Sequence, residues 1–148
     1  MNYKKIFIPL LVALSFQFAF AKDAQTFNLK VSVDHLRNSK GVVWFTLYDK
    51  DGTIPDEHYK KYYKRVSSTI KNNSSVAVFK DLPKGRYAVN ILHDENKNGK
   101  IDKGLLLPTE GVGFSNYQTI NMFNKPNFKK ASFMLDRNLS KRIKVIYF

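Results

Sequence analysis

Residues 93–102, with the sequence His-Asp-Glu-Asn-Lys-Asn-Gly-Lys-Ile-Asp, carry the side chains most suited to chemistry. Oxygen donors fall at alternate positions along this turn: Asp94, Asn96, Asn98, Lys100 (through its backbone carbonyl) and Asp102. These are positions one, three, five, seven and nine of a calcium-binding loop, and Gly99 stands at position six, where such a loop bends sharply. The spacing therefore predicts a calcium site in the 94–102 loop.

The twelfth position departs from that pattern, because Leu105 stands where an EF-hand has a bidentate glutamate. The neighbouring segments also have the alternation of strands. A calcium ion would then need a more distant acid, for which Glu110 is the candidate and Glu95 a weaker one. Two loop carboxylates predict a dissociation constant of roughly 10⁻⁴ to 10⁻³ M. An ordinary hairpin remains the alternative, since Asn98-Gly99 is a strong turn signal by itself.

A second cluster combines basic and aromatic side chains: Tyr59, Lys60, Lys61, Tyr62, Tyr63, Lys64 and Arg65. One hypothesis is a surface that holds acidic lipid or polysaccharide of the cell envelope. The alternative is a short helix or ordered loop near residues 54–72 that packs its tyrosines on a sheet edge. One or two helical turns is a small surface for a partner, so packing is favoured and nucleic acid is not expected as a partner.

A hydrolase could be assembled on paper from Ser115, His93 and Asp94. The chain has no Gly-x-Ser-x-Gly elbow, and its three histidines do not lie at metal-ligand spacing. It also has no cysteine, which excludes thiol chemistry. We therefore expect a non-enzymatic protein, with no cofactor other than calcium.

Alternation of apolar and polar residues supplies the elements that would position these groups. It predicts strands over 27–33, 42–48, 76–79, 87–93 and 131–135, with further short strands considered at 101–107, around 117–122 and at the C-terminus. Turns are frequent, and no long segment has helical periodicity. The pattern predicts an all-β, antiparallel sandwich of about seven strands, of an immunoglobulin-like or transthyretin-like kind.

The first 21 residues have the features of a secretory signal: two lysines, an apolar stretch and a small-x-small end at Ala19-Phe20-Ala21. Cleavage there leaves one domain, residues 22–148, without a membrane-spanning segment. The protein is expected to be exported, to the periplasm or outside the cell. With no cysteine in the chain, it is not expected to be a lipoprotein.

The net charge bears on possible partners. It is +13 for the whole chain, and loss of the two signal lysines leaves +11. Such a field favours acidic partners such as anionic lipids or wall polymers. The charges are scattered along the sequence, however, which favours lysines that simply keep the surface solvated.

Four stretches resemble a bacterial family of small exported proteins known as domain of unknown function 2141. They are GVVWFTLYD at 41–49, FKDLPKGRYAV at 79–89, HDENKNGKID at 93–102 and PTEGVGFSN at 108–116, and the similarity extends through an expected strand at 128–133. The resemblance implies an exported sandwich and no established activity. The basic, tyrosine-rich 54–72 segment departs from the usual pattern of that family.

Overall fold

The structure, a computed structural model, describes residues 25–105 and 107–148. The predicted signal segment, residues 1–21, lies outside these residues. The elements, in chain order, are β1 (Thr26–Val33), β2 (Val42–Tyr48), β3 (Lys64–Ser68), β4 (Ser75–Pro83), β5 (Gly85–Asp94), β6 (Gly111–Phe114), α1 (Phe128–Ala131), β7 (Phe133–Leu135) and β8 (Leu139–Arg142). No helix in this part of the chain is long and apolar enough to cross a bilayer.

Two sheets form. One has three strands in the order β4-β1-β8, and the other has the order β3-β2-β5-β6, with β7 pairing to the first residues of β5. All pairs between named strands are antiparallel except β1 with β8. The prediction of an all-β sandwich is confirmed.

The main core lies between the sheets and follows from the alternation of the strands. Every second residue of β1 and β2 points inward and is fully or almost fully buried: Leu29, Val31, Val33, Val43, Phe45 and Leu47. Burial of a side chain of this size stabilises the fold by about 1.5–3 kcal/mol. The register that buries these residues also fixes which side chains of β2 and β5 face outward.

The outer face of the larger sheet is covered as well. Loops around residues 54–59 and 101–120, together with α1, pack on it through two smaller apolar clusters. As a result β5 is buried on both faces, and each residue from Tyr87 to Asp94 is buried. The end of β5 is therefore a rigid support for the loop that follows it.

The predicted segment at 54–72 contains no helix. Residues 54–63 form an ordered loop and β3 begins at Lys64. The Asp56 carboxylate accepts the backbone N–H groups of Lys60 and Lys61 at 2.9 and 2.7 Å, and Tyr59 has a φ of 50°. Pairing with β2 then satisfies the backbone from Lys64 onward. Long-range pairing therefore overrides the helical spacing of the tyrosines.

Several shorter predictions were wrong. Single bridges, Lys103 with Pro108 and Asn121 with Asn124, stand where strands were considered at 101–107 and 117–122. The expected strand at 128–133 begins as α1, which Asn127 caps by accepting the Lys130 N–H. Besides β3, two strands, β6 and β8, were not expected, because a glycine-rich and a largely polar segment carry little periodic signal.

Candidate functional site

Asp94 is the fixed end of the 94–102 loop. It is fully buried on the outer face of β5, and its carboxylate accepts three N–H groups. The Trp44 indole donates to it at 2.9 Å, the Asn98 backbone at 3.1 Å and the Gly99 backbone at 2.8 Å. A carboxylate is well suited to this position, because its two oxygens can accept several donors at once.

The other polar side chains of the loop meet at Asp102. The Asn96 amide nitrogen lies 2.6 Å from one Asp102 oxygen, and the Asn98 amide nitrogen lies 2.9 and 3.0 Å from the two. The amide oxygens hold the turn, with Asn96 accepting the Asn98 N–H and Asn98 accepting the Lys100 N–H. The Lys100 side chain itself is exposed. The structure thus brings the predicted loop residues into one compact cluster.

Glu110 ties the two ends of the loop together. It is 5% exposed, and its oxygens accept the backbone N–H groups of Glu95 at 2.9 Å and Asp102 at 3.3 Å. Burial raises the pKa of the Glu110 carboxyl, the two backbone donors lower it, and the nearby Asp102 and Asp94 raise it again. Glu110 therefore lies at the loop, as predicted for a distant acid, and in the described structure it binds backbone groups.

Glu95 points away from this cluster toward the segment before β2. Its carboxylate accepts hydrogen bonds from the Arg37 and Asn38 side chains. Burial acts to raise the pKa of Glu95, but these hydrogen bonds and the Arg37 charge outweigh it and hold that pKa below its ordinary value. Glu95 thus ties the start of the loop to Arg37 and Asn38, in the segment before β2.

The basic aromatic segment is divided by the fold. The Arg65 guanidinium carbon lies 4.1 Å from the Trp44 ring centre and 3.9 Å from that of Tyr59, and its Nη2 donates to the Gly99 carbonyl at 3.0 Å. Tyr59 is 7% exposed, and burial raises the pKa of its hydroxyl. Trp44, Arg65 and Tyr59 therefore form a packed stack, and Arg65 joins this stack to the loop at Gly99.

The remaining residues of that segment lie at the surface. Lys60 and Lys61 are exposed, and Tyr62 and Tyr63 are 44% and 40% exposed. The half-buried Lys64 extends its ammonium to within 5.8 Å of the Tyr63 ring centre. A surface role for this smaller group stays a prediction.

Ser115, His93 and Asp94, the trio considered for a hydrolase, do not hydrogen-bond to one another in the structure. His93 and Asp94 are neighbours on a strand, so they point to opposite faces of the sheet. The His93 nitrogens are taken up by the Tyr147 hydroxyl at 2.7 Å and the Lys40 carbonyl at 3.0 Å. The Ser115 hydroxyl donates to the Ala131 carbonyl at 2.7 Å and accepts the Val89 N–H. Each polar group is occupied in holding backbone segments together.

Sequence reasoning missed the contacts that Trp44 and Arg65 make with the loop. Trp44 is the chain's single tryptophan and lies on the outward face of β2. Pairing of β2 with β5 and β3 brings it next to both Asp94 and Arg65. Only the register of these strands could have revealed that proximity.

Replacement of Arg65 by methionine should lower the free energy of unfolding by about 2 kcal/mol. The change removes two cation–π contacts, about 0.5–1 kcal/mol each, and a charged hydrogen bond to Gly99. Urea denaturation measures the effect, with Lys61→Met as the matched control on the same segment. An exposed lysine should change stability by less than about 0.5 kcal/mol. Equal midpoints for the two variants would contradict the assignment of Arg65 to a structural stack.

Among residues 25–105 and 107–148, no group of three or more histidine, cysteine, aspartate or glutamate side chains is placed to hold a metal ion. The donors that do converge at the loop combine amides with carboxylates.

The fold and this loop define the class of protein: a β-sandwich with a hydrogen-bonded polar loop at the end of a doubly buried strand. The chain belongs to the bacterial family described as "Uncharacterized protein conserved in bacteria (DUF2141)", whose model matches residues 31–143. That range contains the loop, Glu110 and the Arg65 stack. No significant match was found among curated proteins or among solved structures.

Proposed function

We propose that this protein is a non-enzymatic, exported β-sandwich module whose 94–102 loop binds calcium. The observation that supports this proposal best is the convergence of the Asn96 and Asn98 amides on the Asp102 carboxylate, all within 3.0 Å. Export is inferred from the signal-like pattern of residues 1–21. Calcium at the concentrations found outside cells would then stabilise the loop and the face of the sandwich around it.

The donor set determines the expected strength of binding. To bind a cation, the Asn96 and Asn98 side chains would turn their oxygens toward it in place of the N–H groups that now face Asp102. This rotation would give up the hydrogen bonds that those oxygens accept from the Asn98 and Lys100 backbone. Two carboxylates, two amides and the Lys100 carbonyl are few charges for Ca²⁺, which is consistent with a dissociation constant near 10⁻⁴ M.

Calcium at 1 mM should raise the melting temperature of the chain from Lys22 onward. With a dissociation constant of about 10⁻⁴ M, occupancy stabilises the folded state by about 1.4 kcal/mol. For a domain of this size the corresponding shift is about 5 °C. Differential scanning calorimetry measures it, and emission from Trp44 reports the same event, because that indole donates to Asp94.

Asp102→Asn provides the critical variant, because it removes one ligand charge while keeping the shape of a half-buried side chain. It should lose most of the calcium shift. Asp136→Asn, an exposed acid far from the loop in sequence, should retain the shift, and magnesium at the same concentration should give little effect. A wild-type protein that melts at one temperature with calcium, with magnesium and with chelator would disprove the proposal.

A further inference from the structure

The turn at 121–124 displays two large apolar side chains to solvent. Met122 is 81% exposed and Phe123 is 101% exposed. Leu105, in the loop that follows the calcium candidate, is 98% exposed. Exposed apolar residues are common singly, but two large apolar side chains that are exposed side by side at one turn are a candidate contact surface.

This turn is built by hydrogen bonds and holds its side chains outward. The Asn121 side-chain oxygen accepts the Phe123 and Asn124 N–H groups, both at 2.9 Å. The Asn124 amide donates to the Thr119 carbonyl at 2.7 Å, and the Lys130 ammonium donates to the Asn124 side chain. The backbone is thus satisfied locally, which leaves the apolar tip free for another surface.

The C-terminal Phe148 lies between this turn and the side chains of Leu105 and Leu107. Phe148 is 46% exposed and lines one groove with Leu105 and Leu107. It also lines a second groove with Ile120 and Asn121, the first residue of the turn. We name this set the apolar rim: Leu105, Leu107, Met122, Phe123 and Phe148.

The part of the chain that carries the turn and Phe148 is strongly basic. Residues 111–148 contain seven lysines and arginines and one acid, Asp136. Lys125 follows the turn directly, Lys130 of α1 donates to Asn124 of the turn, and Lys144 lines the second groove. An apolar tip in a basic stretch of chain, with one ammonium group held at the turn, matches the layered chemistry of an anionic bilayer, with acyl chains beneath acidic head groups.

We propose that the apolar rim docks this protein on an anionic lipid surface. Met122 and Phe123 enter the head-group region, and the surrounding lysines contact acidic head groups. A second copy of the chain is a poorer occupant, because the same basic segment on both copies would repel. This contact uses residues outside the 94–102 loop and does not require calcium.

Vesicle co-sedimentation in the presence of chelator tests the proposal. The chain from Lys22 onward contains every strand and helix described above, and it avoids the apolar segment of residues 6–20, which would bind lipid by itself. The probes are phosphatidylcholine vesicles with and without about one-third phosphatidylglycerol. We expect at least tenfold tighter binding to the anionic vesicles and a further loss of at least tenfold between low and high salt.

The decisive variant is the double substitution Met122→Ser with Phe123→Ser, which should weaken binding to anionic vesicles at least tenfold. Val78→Ser is the matched control, since Val78 is 45% exposed on the smaller sheet, and it should stay within twofold of the wild type. Equal binding to neutral vesicles, or full binding by the double variant, overturns the proposal. Loss of binding only after charge reversal of Lys60 and Lys61 assigns the contact to the other surface and also overturns it. The proposal is also overturned if the wild-type protein is a dimer in solution and the double variant is a monomer.

Discussion

Replacement of Asp94 by alanine should lower the free energy of unfolding by about 4 kcal/mol. The substitution removes the acceptor of the Trp44 indole and of the Asn98 and Gly99 backbone N–H groups. Hydrogen bonds to a charged group contribute about 1.5–3 kcal/mol each, and a buried donor left without a partner adds a desolvation cost. Water entering the space left by the carboxylate recovers part of that loss.

Urea denaturation of Asp94→Ala and Asp102→Ala separates the two loop carboxylates. Asp102 is only half buried, and the two asparagine amides that donate hydrogen bonds to it are exposed. Water can replace Asp102 there, so its removal should cost about 1 kcal/mol or less. If the two alanine variants unfold at the same urea concentration, the hydrogen bonds to Asp94 do not stabilise the loop more than those to Asp102.

This contrast also affects how the calcium proposal is tested. Both residues are predicted ligands, but a loss of calcium binding in Asp94→Ala would follow from the collapse of the loop alone. Asp102→Asn leaves the three N–H contacts of Asp94 in place. Only a variant of that kind distinguishes a lost ligand from a lost fold.

The sequence predicts the inward-facing strands well, because alternation directly reports which side chains a sheet buries. β1, β2 and β5 lie close to their predicted bounds. β8 carries a weak pattern and pairs in parallel with β1 from more than 100 residues away. Such an element depends on long-range pairing that a local pattern does not contain.

The site divides in the same way. The spacing of Asp94, Asn96, Asn98 and Asp102 predicts that they share a loop, and the structure brings them together. The stack of Arg65 between Trp44 and Tyr59 could not be predicted, because three separate segments meet there. Lysine and tyrosine spacing suggested one surface, whereas the fold packs the two ends of the cluster, Tyr59 and Arg65, against each other and leaves the residues between them at the surface.

Gly41→Ala should be strongly destabilising, by about 3 kcal/mol. Gly41 has a φ of +75°, and a Cβ atom there would lie 1.9 Å from the Asp94 carbonyl oxygen and 2.6 Å from the Glu95 Cα. The positive φ costs an alanine about 1–2 kcal/mol, and forcing two packed backbones apart adds about 1–3 kcal/mol. Thermal or urea unfolding measures the total.

Gly52→Ala is the matched control for Gly41→Ala. Gly52 has nearly the same φ, +74°, but a Cβ atom there would meet nothing within 4 Å. It should therefore show the conformational cost alone, and the difference between the variants, about 2 kcal/mol, measures the close approach to β5. Because the obstructed atoms are the first backbone groups of the loop, Gly41→Ala should also shift Trp44 emission, whereas Gly52→Ala should not. Equal unfolding free energies for the two variants would mean that the chain before β2 does not press against the Asp94 carbonyl.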